Sequence, residues 1–208
     1  MNKSKTPSTF IHLRVKSSYS LAEGAIFPAD MVAFAKKHQM PAIAITDTGN
    51  MFGSLEFSKA ATKEGVQPII GCLMALEEEN AANNASLVQT EKKRDSIVLI
   101  AKNDVGYYNL LKLVGFSYLE VEDSSKPYIT LEKLRQYAEG IIMLSGGPQG
   151  PINRLLSEGA TQKAETLLND FTEIFPNHLY LELIRDSEDW DHNTEDQLID
   201  LAYKYNLP

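Results

Sequence analysis

The apolar residues of this chain fall into short compact runs separated by longer segments with helical spacing. The compact runs have the length and composition of strands, and they lie at 9–15, 41–46, 68–76, 96–101, 140–145 and 178–184. Between them, apolar residues recur every three or four positions, as at 107–118 and 164–175. This alternation predicts an α/β fold in which parallel strands are joined by helical crossovers.

Proline and glycine punctuate this pattern. Pro28 is predicted to begin a helix, Gly65 and Gly140 to cap helices at their C-terminal ends, and Pro176 to stop the helix before it. A last helix is expected around 198–205. Two segments lack either period: residues 1–8 are predicted to be a disordered tail, and residues 77–94 an exposed excursion between the third and fourth strands.

Composition predicts a globular protein without a membrane-spanning helix. Its 208 residues are 43% hydrophobic and 23% charged, which is enough for one sizeable core. The apolar runs are far shorter than the roughly 20 residues that cross a bilayer, and the N-terminus lacks the apolar stretch of a signal peptide. The single cysteine, Cys72, predicts a reducing, cytoplasmic location; its apolar surroundings predict a buried strand residue and not a nucleophile.

Charge is unevenly distributed along the chain. The net charge is −8, and the segment from Glu182 to Asp200 holds eight acidic residues against Arg185, a balance of −7. Such a balance argues against a broad surface for duplex DNA, which requires clustered Lys and Arg. Either the segment is a solvated acidic face or it docks a basic partner.

Chemistry-bearing residues alternate near the N-terminus. His12, Arg14 and Lys16 occupy alternate positions, the last of them directly after the first predicted strand, so in an extended chain their side chains share one face. A neutral imidazole can bind a metal, whereas a protonated guanidinium or ammonium has no lone pair to offer.

This run, together with the stretches at 47–61, 95–103 and 106–113, resembles the polymerase and histidinol phosphatase (PHP) family, in the version that opens bacterial DNA polymerase III alpha subunits. The resemblance implies a distorted (β/α)7 PHP barrel over residues 9–208. It further implies an N-terminal piece of a much longer polypeptide, truncated before the last strand of the barrel.

The resemblance also implies metal ligands at the strand ends, and this chain has replaced nearly all of them. Thr48 stands in place of a histidine, Leu73 of a bridging glutamate, Ser96 of a histidine and Gly147 of a cysteine, while Glu23 replaces an aspartate conservatively. We therefore predict no catalytic and no metal-binding residue, and a vestigial pocket at His12, Arg14, Lys16, Glu23, Asp47, Thr48, Leu73, Ser96 and Gly147.

The cations of this pocket have two possible roles. Either Arg14 and Lys16 substitute charge for metal by pairing with Glu23 and Asp47, or their long side chains extend to solvent. Asp47 by itself is expected to be a hydrogen-bonding residue. We expect Glu56 to lie on a helix surface, and His38, His178 and His192 to be structural or surface residues.

By resemblance, the parent chain is a replicative DNA-directed DNA polymerase that uses Mg²⁺ at a site outside this fragment, and the fragment itself holds no cofactor. The domain would be a non-catalytic scaffold that packs on the remaining polymerase domains of the same chain and docks the proofreading exonuclease subunit. DNA would be contacted mainly by the parent chain.

Two other functions stay open. One is a metal-dependent phosphoesterase or 3′–5′ exonuclease, as in metal-competent relatives. The other is direct binding of nucleic acid through Lys3, Lys5, Arg14, Lys16 and the basic cluster 92–94.

Overall fold

The computed structural model describes residues 10–77, 94–121, 123–185 and 192–208. The predicted tail at 1–8 and nearly all of the predicted excursion at 77–94 lie outside these described residues. The chain divides into two compact units, Met1–Leu73 and Met74–Pro208.

The first unit is built around two parallel strands. Its elements are α1 (Pro28–Lys37), β1 (Ala42–Thr48), α2 (Ser54–Glu64) and most of β2 (Gln67–Glu77). β1 pairs with β2 in register from Ala42 opposite Gln67 to Thr48 opposite Leu73. Apolar residues of α1, β1 and α2 form one buried cluster, comprising Met31, Val32, Ala35, Ile43, Ile45, Phe57, Ala61 and Val66.

In its described part, the second unit contains strands β3 to β5 and the α-helices α3 to α7. In chain order these are β3 (Arg94–Ala101), α3 (Asp104–Leu119), α4 (Leu131–Gln136), β4 (Ile141–Leu144), α5 (Pro151–Ser157), α6 (Thr161–Ile174), β5 (Leu179–Tyr180) and α7 (His192–Tyr205). The strand order in the sheet is β1-β2-β3-β4-β5. The predicted α/β fold is thus confirmed, with β1 to β4 and α1, α3, α6 and α7 close to their predicted positions.

The expectation of an entirely parallel sheet is wrong. β3 and β4 are antiparallel, with Val98 opposite Leu144, whereas β4 and β5 are parallel. The reason lies in the connection, because two helices, α3 and α4, follow β3 before β4 begins. The amide of Lys102 donates to the carbonyl of Gly140 at 2.8 Å, so the chain returns to the end of β3 before it starts β4.

Gly140 does not cap a helix as predicted. α4 already ends with Tyr137 as its cap, and Gly140 instead lies against the start of α3 with φ of +74°. A Cβ at this position would lie 2.4 Å from Asn103 Oδ1 and 2.5 Å from Gly106 N. A glycine is therefore required by close backbone approach. Gly65, by contrast, is the predicted left-handed cap of α2.

The first predicted strand, residues 9–15, is not a regular strand within its described part. The amide of Ala44 donates to the carbonyl of His12, and that of Thr46 to the carbonyl of Val15. Between these two hydrogen bonds the chain advances three residues from His12 to Val15 but only two residues from Ala44 to Thr46. The extra residue interrupts regular strand pairing, as a β-bulge does. The Val15 amide is satisfied by the Thr46 hydroxyl at 2.9 Å instead. The strand predicted at 178–184 is also shorter, Leu179–Tyr180.

Candidate functional site

Asp47, at the end of β1, is a buried carboxylate held by neutral donors. The side chain is 1% exposed. Oδ1 accepts from the Ser17 amide at 2.7 Å and from the Ser20 hydroxyl at 2.6 Å, and Oδ2 accepts from the Ser17 hydroxyl at 2.8 Å. Asp47 is thus the hydrogen-bonding residue that we expected, and it ties the loop 17–24 to β1.

The prediction that a cation pairs with Asp47 is wrong for the part of the chain that the structure describes. Its partners there are the two hydroxyls and one amide, and donors of this kind can satisfy a buried carboxylate without a second charge. Neither sequence spacing nor resemblance singled out Ser17 and Ser20, although both lie in the segment that carries the family likeness.

The same loop is fixed at its rim by further polar contacts. The Ser20 hydroxyl oxygen accepts from the Thr48 amide at 3.1 Å, and Asn50 Nδ2 donates to the Tyr19 carbonyl at 3.1 Å. The Tyr19 hydroxyl donates to Glu56 on α2 at 3.0 Å, and this hydrogen bond to a carboxylate raises the pKa of Tyr19. Glu56 therefore lies on a helix, as predicted, and anchors the loop.

Lys16 pairs with Glu23, which confirms half of the predicted charge substitution. Lys16 Nζ lies 2.6 Å from Glu23 Oε2, and the Thr48 hydroxyl donates to the same oxygen at 2.6 Å. The Lys16 ammonium first, and the Thr48 hydroxyl second, lower the pKa of Glu23 below its ordinary value. Lys16 and Thr48, two of the predicted pocket residues, therefore both contact a third, Glu23.

Two other predicted positions in the first unit are apolar or aromatic in their contacts. Leu73 is buried opposite Thr48, and its hydrocarbon side chain offers no ligand atom. The His12 ring packs edge-on to Phe10 at 4.8 Å and lies 6.3 Å from Phe34 of α1. Arg14 is half-buried.

Cys72 is fully buried, as predicted, and its thiol donates to the Asp47 carbonyl at 3.3 Å. Burial raises the pKa of this thiol to about 12. A protonated, enclosed thiol is neither a nucleophile nor a metal ligand at neutral pH.

In the second unit, the residue that precedes the predicted position Gly147 lies against the predicted position Ser96. Gly146 approaches Ser96 so closely that a Cβ on it would lie 1.7 Å from the Ser96 carbonyl oxygen. The strongest polar contact here is one that the sequence did not indicate: Arg154 Nε lies 2.8 Å from Asp95 Oδ1 and Nη2 lies 2.9 Å from Asp95 Oδ2. Both side chains are largely buried, so Asp95 is compensated by a fork of two donors.

The described side chains around Asp47 and Glu23 do not suit a metal ion. Both oxygens of Asp47 are taken by protein donors, the partner of Glu23 is an ammonium, and the end of β2 presents Leu73. Within the described ranges no group of three or more His, Cys, Asp or Glu side chains could hold a metal. These side chains instead hold loop 17–24 against β1 through hydrogen bonds and one ion pair.

The other predicted residues are distributed as follows. His38 stacks on Phe34 at 4.4 Å, and His178 Nε2 lies 2.6 Å from Lys102 Nζ; the side chain of His192 lies outside the described part. Glu195 is 6% exposed and pairs with Arg185. The expectation of a solvated acidic face is therefore wrong for Glu195, because its carboxylate is buried and paired.

Residues 12–186 match the model of the PHP domain family. The chain belongs to the PHP domain family. Its structure is similar to that of a protein described as a metal-dependent phosphoesterase from Bifidobacterium adolescentis, with a TM-score of 0.58 at 12% identity, covering 97% of this chain and 85% of the other. At that identity the likeness is one of fold, and it confirms the predicted PHP fold.

Curated relatives are similar over nearly the whole chain. The DNA polymerase III subunit alpha of Caulobacter vibrioides is 35% identical over 199 residues, covering 96% of this chain and 17% of the relative. That of Borreliella burgdorferi is 40% identical over 193 residues, covering 91% of this chain and 16% of the relative. The chain thus spans about a sixth of the length of these relatives. Within the described residues, no helix has the length and apolar character of a membrane span.

Proposed function

We propose that this chain is the PHP domain of a DNA polymerase III alpha subunit and acts there as a non-catalytic scaffold. The relatives named as alpha subunits match it almost from end to end. The observation that carries the scaffold role is the Lys16–Glu23 pair of 2.6 Å beside an Asp47 whose oxygens are both occupied. Side chains engaged in this way are unsuited to holding a catalytic metal ion.

The parent protein would be a cytoplasmic DNA-directed DNA polymerase. Its nucleotidyl transfer and the Mg²⁺ for that step would belong to other domains, and the PHP domain would pack on them. We propose the proofreading exonuclease subunit as its separate partner. DNA would be contacted mainly by the rest of the parent chain, which agrees with the net charge of −8.

The cations available for nucleic acid are partly engaged within the protein. Lys16 pairs with Glu23. Arg94 Nη2 lies 3.7 Å from Glu77 Oε1, and Arg94 Cζ lies 4.2 Å from the centre of the Tyr128 ring. Phosphate binding through these side chains would compete with existing contacts. This favours the scaffold over direct nucleic-acid binding.

Elemental analysis of the purified chain separates the scaffold from the alternative, a metal-dependent phosphoesterase or 3′–5′ exonuclease. We expect substoichiometric zinc, manganese and iron, and no hydrolysis of p-nitrophenyl phosphate or single-stranded DNA above a buffer control. One tightly bound metal ion per chain, with hydrolysis that is abolished by Glu23→Gln, would establish the alternative.

Co-purification tests the docking role. The tagged chain and the untagged exonuclease subunit of the same organism are expressed together, and we expect them to elute as one complex from a size-exclusion column. An unrelated tagged domain of similar size serves as the control. Separate elution at micromolar concentration would remove the docking role and leave packing against the polymerase domains.

A further inference from the structure

Three side chains of the first unit converge on one point. Lys16 Nζ and Thr48 Oγ1 both lie 2.6 Å from Glu23 Oε2, although these residues are 7 and 25 positions from Glu23 in the sequence. Folding of the loop 17–24 onto the end of β1 is what brings them together. In a metal site, ligand atoms from separate segments converge on the cation, whereas here two donors converge on one carboxylate oxygen.

Glu23 is the carboxylate of this cluster that is paired with a cation. The neighbouring Asp47 is already satisfied by Ser17 and Ser20. An opposite charge in contact with a carboxylate stabilises its ionised form. The Lys16 ammonium supplies that charge.

This pair differs from an ordinary surface pair in the same unit. The side chain of Lys16 is 27% exposed, whereas that of Lys36, which pairs with Glu64, is 59% exposed. The two carboxylates are exposed to similar extents, 43% for Glu23 and 38% for Glu64. Lys16 is thus held against the protein, and its partner oxygen also accepts from Thr48. The Lys36 pair provides a built-in comparison within one unit.

An ammonium and a metal ion exclude each other at such a point. The ammonium presents protons and no lone pair, so it cannot serve as a ligand. Its charge also repels a divalent cation a few ångströms away.

We propose that Lys16 is the resident cation of this cluster in place of a metal ion, so that Glu23 is closed to divalent cations. The inference rests on the proposed non-catalytic function. It predicts that removing the ammonium and adding ligands at the two contacting positions opens a metal site.

The test uses the 208-residue chain with the double change Lys16→His and Thr48→His, which places two imidazoles beside Glu23. Isothermal titration with Zn²⁺ is expected to give one site per chain, bound at least about 100-fold more tightly than by the wild type. Adding Glu23→Gln should weaken that site at least about tenfold. The single variant Thr48→His keeps the ammonium and should stay at the wild-type level, as should Lys36→His.

Two results would overturn the inference: Zn²⁺ binding by the double variant no tighter than by Thr48→His, or a wild-type site that is lost with Glu23→Gln. Circular dichroism checks folding. If the double variant is unfolded without metal, recovery of its helical signal on Zn²⁺ addition supports the inference, and failure to recover overturns it. Phosphoester hydrolysis by the wild type, with the double variant behaving as expected, would contradict the proposed function alone.

Discussion

Two buried aspartates, one in each unit, are stabilised by different means. Asp47 in the first unit is held by two serine hydroxyls and an amide, whereas Asp95 in the second unit is held by the guanidinium of Arg154. The first arrangement is built from a loop that wraps the carboxylate, and the second from one long side chain 59 residues away. A buried carboxylate can therefore be satisfied by the neutral donors of a loop or by a partner charge, and the loss of stability when a residue is removed differs between the two.

The largest effect is expected for Asp47→Ala. The change leaves the Ser17 amide and two hydroxyls without their acceptor, and we expect a loss of about 4 kcal/mol in the free energy of unfolding. Urea denaturation followed by circular dichroism measures it. Asp30→Ala, on the exposed first turn of α1, is the control and should cost below about 1 kcal/mol. A loss for Asp47→Ala no greater than for the control would show that the serines re-pair with water.

Arg154→Met should cost somewhat less, about 3 kcal/mol, because it leaves Asp95 buried without its counter-charge. The double change Asp95→Leu with Arg154→Met should recover most of that loss, since no charge is then left unpaired. The same urea titration applies. Arg135→Met removes an exposed pair with Asp170 and is expected to cost below about 1 kcal/mol; a double variant as unstable as Arg154→Met would contradict the prediction.

Cys72 reports on the first unit by itself. Its buried thiol, with a pKa of about 12, should react with a disulfide reagent at pH 8 only through opening of the structure. We expect Asp47→Ala to raise the reaction rate at least about tenfold over wild type, and Arg154→Met to raise it less. Equal acceleration by the two changes would mean that the units open together.

The smallest effect concerns Glu23. Lys16 lowers the pKa of Glu23 below its ordinary 4.5, so the pair stabilises the folded state above that pH and the contribution is lost as the pH falls through the lowered value. Because the Glu23 side chain is 43% exposed, solvent screening keeps the difference between wild type and Glu23→Gln at about 0.5 kcal/mol or less at pH 7. Thermal unfolding at pH 7 and pH 3 checks it, and a difference that grows on acidification would reverse the assigned sign.

Sequence reasoning located what depends on local pattern. The apolar runs at 41–46 and 68–76 became β1 and β2, because compact apolar runs of this length are typical of strands covered on both faces. The contact between Lys16 and Glu23 was also foreseeable, since two opposite charges lie seven positions apart around a turn.

What the sequence could not supply depends on the path of the chain. The direction of β4 follows from two successive helices that return to Lys102, and no periodicity records that return. The partners of Asp47 depend on the shape of loop 17–24, in which serines are unremarkable as residues. Asp95 and Arg154 meet across 59 positions with no shared motif.

The backbone conformation of Gly147 disfavours a side chain at this position. It stands where the family resemblance places a cysteine, and its backbone is left-handed, with φ of +55°. Any side chain restored there would begin with a backbone penalty of roughly 1–2 kcal/mol. A ligand side chain at this position would therefore require the main chain to change as well as the side chain.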